Sequence, residues 1–194
     1  MHQGIVGRPE ASTAWRLLGM IFKISRAFCV VAACAIGTMS AAQESNNRVA
    51  ANTDWSVFTE DDPKECWAVS APKETVNTKD GQTVAVRRSE VLLMVFYRPA
   101  ASVQGQVAFT GGYPFASGST ADMEIAGTTF ELFTEGEWAW PASSEDDAKI
   151  VAAMKRGADT TLTARSGRGT QTADKFSLLG FTAAEEDAAK RCGG

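Results

Sequence analysis

Alternating apolar and polar residues along the chain predict a protein built mainly from short antiparallel strands. Trp55 to Ser70 carries two such segments around the turn Asp61-Asp62-Pro63-Lys64, which indicates a hairpin. A second hairpin is predicted from Met123 to Phe133, where Ala126-Gly127 suits a tight turn. Thr160–Ala164 and Lys175–Phe181 alternate in the same way and predict a third antiparallel pair.

The middle of the chain holds its most continuous apolar segment. Val91–Tyr97 is apolar throughout, which is typical of a strand covered on both faces, and we interpret it as the central strand. Val103–Phe109 predicts another strand, ended by the turn residues Gly111-Gly112-Tyr113-Pro114. The polar stretch 72–81 is expected to be a turn-rich connection.

Two helices complete the prediction. From Ser144, three acids open a segment whose apolar residues recur at helical spacing up to Met154. Thr182 and Glu185 fit a capping box for a short last helix through Arg191. The fold class expected is therefore an antiparallel β-sandwich or flattened barrel with one mid-chain helix and a short C-terminal helix, forming a single domain over residues 54–192. Residues 43–53 are expected to form a flexible lead-in.

Residues 1–42 have the three-part layout of a cleavable export signal. The basic segment Lys23–Arg26 precedes an uncharged apolar run, 27–39, and the small residues Ser40-Ala41-Ala42 follow it. That run is shorter than the roughly twenty residues a membrane-spanning helix needs, so no permanent anchor is expected. We predict cleavage after Ala42, with Met20 as an alternative start; the alternative interpretation of the run is a buried core helix. The expected location is the periplasm or the exterior, with outer-membrane association left open.

The net charge and the histidine content argue against nucleic-acid binding and against histidine-dependent catalysis. Removing residues 1–42 would take four basic residues and one acid, leaving a net charge of about −7, which disfavours nucleic acid as a partner. The single histidine, His2, would leave with the leader. A Ser-His-Asp triad, a Cys-His pair and a histidine metal site are then excluded, and no cofactor is expected.

Two cysteines, Cys66 and Cys192, would remain after processing. In an oxidising compartment an even number of thiols favours one disulfide, here joining the start of the domain to its end. Two free buried thiols are the alternative. No Cys-x-x-Cys motif supports a redox enzyme.

Several short motifs together resemble one family. They are Trp55 ahead of Glu65-Cys66-Trp67, Ser70-Ala71-Pro72, Met154-Lys155-Arg156-Gly157, Ser166-Gly167-Arg168-Gly169-Thr170, and Phe176-Ser177-Leu178-Leu179-Gly180-Phe181 before a terminal helix and cysteine. In this combination the chain resembles the invasion-associated locus B (IalB) proteins, exported proteins of alphaproteobacteria. The resemblance implies a β-sandwich-like exported domain and, in pathogens, a link with host-cell entry. It implies no catalytic site.

Candidate binding residues fall in two places. Arg165 and Arg168 flank a glycine-rich turn that could receive a carboxylate, a phosphate or an acidic glycan; a plain hairpin turn with solvated arginines is the alternative, and the more common arrangement. Arg87-Arg88 carries the same ambiguity and is expected at the rim of the sheet. Trp138 and Trp140 alternate on one side of a strand and could offer an aromatic platform for a sugar or peptide, with core or rim packing as the alternative.

Two further clusters have plainer interpretations. Trp55 and Trp67 are expected to pack around the disulfide. The acids Asp61, Asp62 and Glu65 match no known Ca²⁺ loop and are interpreted as a solvated turn, so no metal site is expected.

These observations favour an exported, non-enzymatic binding protein that engages an envelope component or another protein through its sheet face or end loops, with a host-interaction role in view of the family. A hydrolase of cell wall or polysaccharide using paired carboxylates is the alternative, because sequence cannot place the acids relative to one another. A structural envelope protein is a third hypothesis.

Overall fold

The structure, a computed structural model, describes residues 47–193. The predicted leader, its alternative start at Met20 and the first residues of the predicted lead-in lie outside this range. Within residues 47–193 no helix is both long and apolar enough to cross a bilayer.

Twelve strands, two α-helices and one 3-10 turn follow along the described residues. The strands are β1 (Arg48–Asn52), β2 (Trp55–Asp61), β3 (Lys64–Ser70), β4 (Glu74–Lys79), β5 (Gln82–Thr83), β6 (Leu92–Arg98), β7 (Val103–Thr110), β8 (Thr120–Ile125), β9 (Thr128–Glu135), β10 (Trp138–Trp140), β11 (Asp159–Arg165) and β12 (Gln171–Ser177). The helices are α1 (Ser144–Met154) and α2 (Phe181–Arg191), and the 3-10 turn is Pro99–Ala101.

All strands join one antiparallel sheet in the order β1-β2-β3-β6-β7-β10-β9-β8-β11-β12-β4-β5. The sheet does not close, because β1 and β5 form its two ends. It folds over on itself, so that Phe109 of β7 meets Phe176 of β12 with ring centroids 6.2 Å apart. The predicted fold class, mainly antiparallel β and sandwich-like with two helices, is confirmed.

Strand alternation sends one set of side chains into the core. Val57, Cys66, Val95 and Val107 are fully buried, whereas their neighbours along each strand face outward. The apolar run predicted as central is β6, which lies between β3 and β7. On its second face Met94 is also buried, at 5% exposure, whereas Leu92, Phe96 and Arg98 are half-buried.

The predicted disulfide between Cys66 and Cys192 is present, with the two Cα atoms 5.8 Å apart. It fixes the end of α2 to β3 across 126 residues of sequence. Trp55 is buried beside α2, where its ring meets Phe181 at 4.8 Å and its indole N–H donates to the Ser177 carbonyl at 2.9 Å.

Trp67 does not pack around the disulfide as expected. It follows Cys66 on the same strand, so its side chain lies on the opposite face of β3. There it stacks on Phe58 with ring centroids 5.6 Å apart and lies 6.0 Å from Phe96. The prediction was wrong because successive strand residues point to opposite faces.

Two polar segments form strands that their sequences did not predict. Residues 48–52, placed in the flexible lead-in, form β1 and pair with β2. Residues 74–79, expected to be a turn-rich connection, form β4 and pair with β12. Both strands are largely exposed and therefore carry little apolar pattern.

The mid-chain helix is confirmed as α1, which begins after the N-cap Ser143, whose side chain accepts from the Asp146 N–H. The capping box predicted for the last helix is wrong. The N-cap of α2 is Gly180 in the left-handed region, with φ +89°, where a Cβ would collide with the Asn52 carbonyl. Glu185 is instead buried, accepting from the Tyr97 hydroxyl at 2.6 Å, with the Lys155 Nζ 2.6 Å from its other oxygen.

Candidate functional site

One cleft of about 800 Å³ gathers three arginines from two distant parts of the chain. We call it the arginine cleft. It is lined by Ala85, Val86, Arg87, Arg88, Ser89, Gly112, Tyr113, Pro114, Glu137, Ser166, Gly167, Arg168, Thr170 and Thr172.

Arg88 lines this cleft and is held in place by hydrogen bonds. Its guanidinium makes two parallel hydrogen bonds to Asp174, at 2.8 and 2.6 Å, and its Nε donates to the Gly111 carbonyl at 2.9 Å. Only 7% of the Arg88 side chain and none of the Asp174 side chain is exposed. Thr75 adds a third hydrogen bond to the same carboxylate at 2.8 Å. The buried ion pair between Arg88 and Asp174 therefore holds the loop 84–91 against the sheet. Arg88 does not lie exposed at the rim, where the sequence placed it.

The same loop is held by backbone contacts. The Ser89 N–H donates to the Gly112 carbonyl at 2.9 Å, and a Cβ at Gly112 would lie 2.6 Å from the Ser89 oxygen. Gly112 also has φ +69°, so glycine is required at this position on both counts. The guanidinium of Arg88 lies 5.0 Å from the centroid of the Tyr113 ring, whose hydroxyl is 2.6 Å from Thr172 Oγ1. Burial raises the pKa of the Tyr113 phenol, so it stays neutral.

The glycine-rich turn 165–170 is held by hydrogen bonds within the protein. The N–H groups of Ser166, Gly167, Gly169 and Thr170 all donate within the protein, at 2.8 to 3.1 Å. They are therefore unavailable as an anion-binding nest. An anion held at this turn would therefore be bound mainly by side chains.

The side chains available for this are Arg87 and Arg168. Both are exposed, and neither forms an ion pair among the described residues. Glu137 is the acid that lines the cleft with them, whereas Asp174 is already paired with Arg88. The free charges of the cleft thus sum to about +1, on a chain whose formal net charge is −4. The arrangement attracts an acidic group.

A second recess lies on the outer face of the sheet, and we call it the aromatic groove. It comprises two cavities, of about 620 and 360 Å³, that share Gln106 and Trp140 in their walls. The larger is lined by Ser102, Val103, Gln104, Gln106, Phe133, Trp140, Pro141, Ala142, Ser143, Ser144 and Asp147. The smaller is lined by Phe96, Arg98, Gln106, Ala108, Trp138 and Trp140.

Strand alternation aims both tryptophans into this groove. Ala139 of β10 is fully buried in the core, so Trp138 and Trp140 on either side of it point outward together. Trp138 is 41% exposed and Phe133 of the neighbouring strand 51%. Neither tryptophan is buried in the core, since Trp138 is exposed and Trp140 is half-buried, and packing at the rim remains the alternative to a binding role.

Two polar side chains of the groove, Arg98 and Asp147, are held in place by hydrogen bonds. Arg98 lies 4.2 Å from the centroid of the Phe96 ring and donates to Glu65 at 3.0 Å and to the Gln106 side-chain oxygen at 2.9 Å. Asp147 of α1 accepts the Val107 N–H at 2.8 Å through Oδ1. The pairing between β7 and β10 ends at Phe109 and Ala139, so the Val107 N–H has no partner on β10 and meets Asp147 instead. Burial raises the pKa of the Asp147 carboxyl, against the opposing effect of the Val107 hydrogen bond.

The structure separates the four residues predicted for binding. Arg168 lies in the arginine cleft, and Trp138 and Trp140 lie in the aromatic groove. Arg165 is exposed, pairs in register with Gln171 and lines neither cavity. Sequence reasoning missed Asp147, which resembled an ordinary first-turn acid. It also gave Arg87 no distinct role, because only the tertiary fold brings Arg87 to Arg168.

Paired carboxylates, the requirement of the hydrolase hypothesis, are not brought together in either recess. Among residues 47–193, Glu137 is the only acid that lines the arginine cleft, and Asp147 is the only one that lines the aromatic groove. Glu65, one of the acids weighed for Ca²⁺, lies instead beside Arg98 in an ion pair.

Comparison with known proteins gives one structure and one family. The crystal structure of invasion associated protein b from Bartonella henselae is similar to this chain with a TM-score of 0.50 and 14% identity, covering 75% of this chain and 98% of that one. At this identity the likeness shows a shared fold. No curated protein matched the chain. The profile of the invasion associated locus B (IalB) protein family matches residues 55–189, and the chain therefore belongs to the IalB family.

Proposed function

We propose that this chain is an exported binding protein without catalytic chemistry, and that its arginine cleft holds an acidic group of an envelope component. The observation that carries the proposal is the pair of exposed, unpaired guanidiniums of Arg87 and Arg168 on a preformed cleft. Guanidinium groups bind carboxylates and phosphates through two parallel hydrogen bonds, which gives both affinity and orientation.

The cleft is preorganised, which lowers the cost of binding. Arg88 is held by Asp174 and Gly111, and the loop that carries Arg87 is fixed at Ser89. In the turn that carries Arg168, the N–H groups of Ser166, Gly167, Gly169 and Thr170 are satisfied internally. A ligand therefore has to order only two arginine side chains, because the surrounding backbone is already in place.

Export is supported by the leader pattern and by the cysteine pair. Disulfides persist mainly in oxidising compartments such as the periplasm or the exterior. The disulfide between Cys66 and Cys192 suits such a compartment, and the three-part leader of residues 1–42 would deliver the chain there.

The test uses a heptaglutamate peptide and inorganic phosphate as probes, titrated into the purified chain by calorimetry. We expect Arg87→Gln/Arg168→Gln to weaken binding by about 10-fold or more, about 1.4 kcal/mol, and added salt to weaken it in the wild type. Arg165→Gln is the matched control for the single variant Arg168→Gln, since each removes one charge from the same turn and Arg165 does not line the cleft. Absence of binding by the wild type, or an equal loss in the Arg165 variant, would refute the arginine cleft as the site.

A further inference from the structure

We propose that the aromatic groove is a carbohydrate-binding site, in which a neutral pyranose ring stacks on Trp140 and donates a hydroxyl hydrogen bond to Asp147. This site is separate from the arginine cleft and shares no lining residue with it.

The first observation is the setting of Trp140. Its side chain lines both cavities of the groove, so ligand can reach the ring from either one. Phe133, directly opposite Trp140 in the β9–β10 register, extends the apolar wall, and Trp138 continues it two residues along β10. An apolar wall of exposed rings suits the apolar face of a sugar, because each can cover the other from water.

The second observation is Asp147. It is 93% buried, since only 7% of the residue is exposed, yet it lines the larger cavity. Its Oδ1 accepts from Val107, and its Oδ2 has no hydrogen-bond partner among residues 47–193. A carboxylate fixed by one oxygen leaves the second as an acceptor of set direction, and sugar hydroxyls are donors that can meet it.

The third observation is the mixture of polar groups around the ring. The Gln106 oxygen is occupied by Arg98, which leaves its NH₂ group as a donor toward the groove. Gln104 adds an exposed amide that can donate and accept. A few oriented donors and acceptors around an apolar wall are what a polyhydroxylated ring requires for recognition.

The same geometry argues against an extended peptide on the edge of β7. A peptide strand added there would need the Val107 N–H for its ladder, and Asp147 already accepts it. Asp147 therefore blocks this edge to a strand through Oδ1, while its Oδ2 stays open to a hydroxyl.

The experiment titrates cellohexaose, chitohexaose, maltohexaose and mannohexaose into the purified chain. Binding is followed by tryptophan fluorescence and by the indole N–H resonances in ¹H–¹⁵N spectra. We expect at least one of these sugars to bind and to shift the Trp140 resonance more than that of Trp67, which lies on the same sheet face outside the groove.

Variants then test each contact. Trp140→Leu keeps an apolar side chain without the ring and should weaken sugar binding about 10-fold or more. Asp147→Asn keeps an oxygen for Val107 but turns an NH₂ group toward the cavity, and should weaken binding several-fold. The controls are Phe58→Leu, on the same sheet face but on β2, and Asp122→Asn, at an exposed position of β8 outside the groove; both should bind as the wild type does. Thermal unfolding checks that each variant is folded, and the wild-type spectra remain decisive if Trp140→Leu is not.

Three results would overturn the proposal. One is the absence of binding to all four sugars at millimolar concentration. Another is binding only to an acidic oligosaccharide, such as hexagalacturonate, that is lost in Arg87→Gln/Arg168→Gln but kept in Trp140→Leu, which would assign recognition to the arginine cleft. The third is a dimer of the chain, detected by sedimentation, that Trp140→Leu dissolves, which would make the groove an interface between copies.

Discussion

Replacing Arg88 by Met tests whether a buried ion pair supports the arginine cleft. The Asp174 carboxylate has no exposed surface, and without the guanidinium it would keep Thr75 as its side-chain donor. Removing one partner of a buried pair costs about 3–5 kcal/mol, because the remaining charge is left unpaired in the interior. We expect a loss of that size in the free energy of unfolding.

A second substitution tests whether the unpaired charge of Asp174 causes this loss of stability. In Arg88→Met/Asp174→Asn the buried carboxylate is replaced by a neutral amide of nearly the same shape, so the unpaired charge is gone. The double variant should therefore be more stable than Arg88→Met alone, by about 1–3 kcal/mol. Urea unfolding followed by circular dichroism measures all four corners of this cycle.

The exposed ion pair of α1 serves as the control. Lys149 lies 3.0 Å from Asp146 and 3.1 Å from Glu145, but its side chain is 55% exposed. Lys149→Met should therefore change stability by less than about 1 kcal/mol. If Arg88→Met were equally mild, or if the two changes at Arg88 and Asp174 were simply additive, the ion pair would not be what fixes the cleft.

Two further predictions concern stability. Cys66→Ala/Cys192→Ala should lose up to about 5 kcal/mol in urea unfolding, because the disulfide closes a loop of 126 residues in the unfolded chain; a loss below about 1 kcal/mol would contradict the entropic argument. Burial raises the folded-state pKa of Asp147 above its ordinary 3.8, so the stability this carboxyl contributes is greatest at low pH and declines as pH rises through that window. Asp147→Asn should consequently gain stability relative to the wild type above about pH 4, and a difference independent of pH would refute this.

Sequence pattern predicted the parts of the fold whose residues carry strong local signals. The hairpin around Asp61-Asp62-Pro63-Lys64 and helix α1 combine apolar periodicity with turn or cap chemistry, and both are present. β4 was missed because its residues are mostly exposed, and it is a strand only through pairing with β12. An exposed strand lacks the alternation that burial imposes, so no local signal marks it.

In the candidate sites, too, local sequence predicted what depends on neighbouring residues and missed what depends on tertiary contacts. Alternation along β10 indicated that Trp138 and Trp140 share a face, which depends only on neighbouring residues. It could not tell that this face is open to solvent. Arg88 and Asp174 are 86 residues apart, and nothing in either local sequence marks them as a pair. The choice between Arg165 and Arg168 likewise depends on how the turn packs against Gly112–Pro114.

The two sites can be tested separately because of where they lie on one strand pair. Gly112–Pro114 of the arginine cleft follow the end of β7, whereas Gln104 and Gln106 of the aromatic groove lie near its start. Glu137, just before β10, lines the cleft, whereas Trp138 and Trp140 of β10 line the groove. Within residues 47–193, the lining residues of the two sites do not overlap. A change at Arg168 should therefore leave the groove intact, and a change at Trp140 should leave the cleft intact, so either proposal can fail without the other.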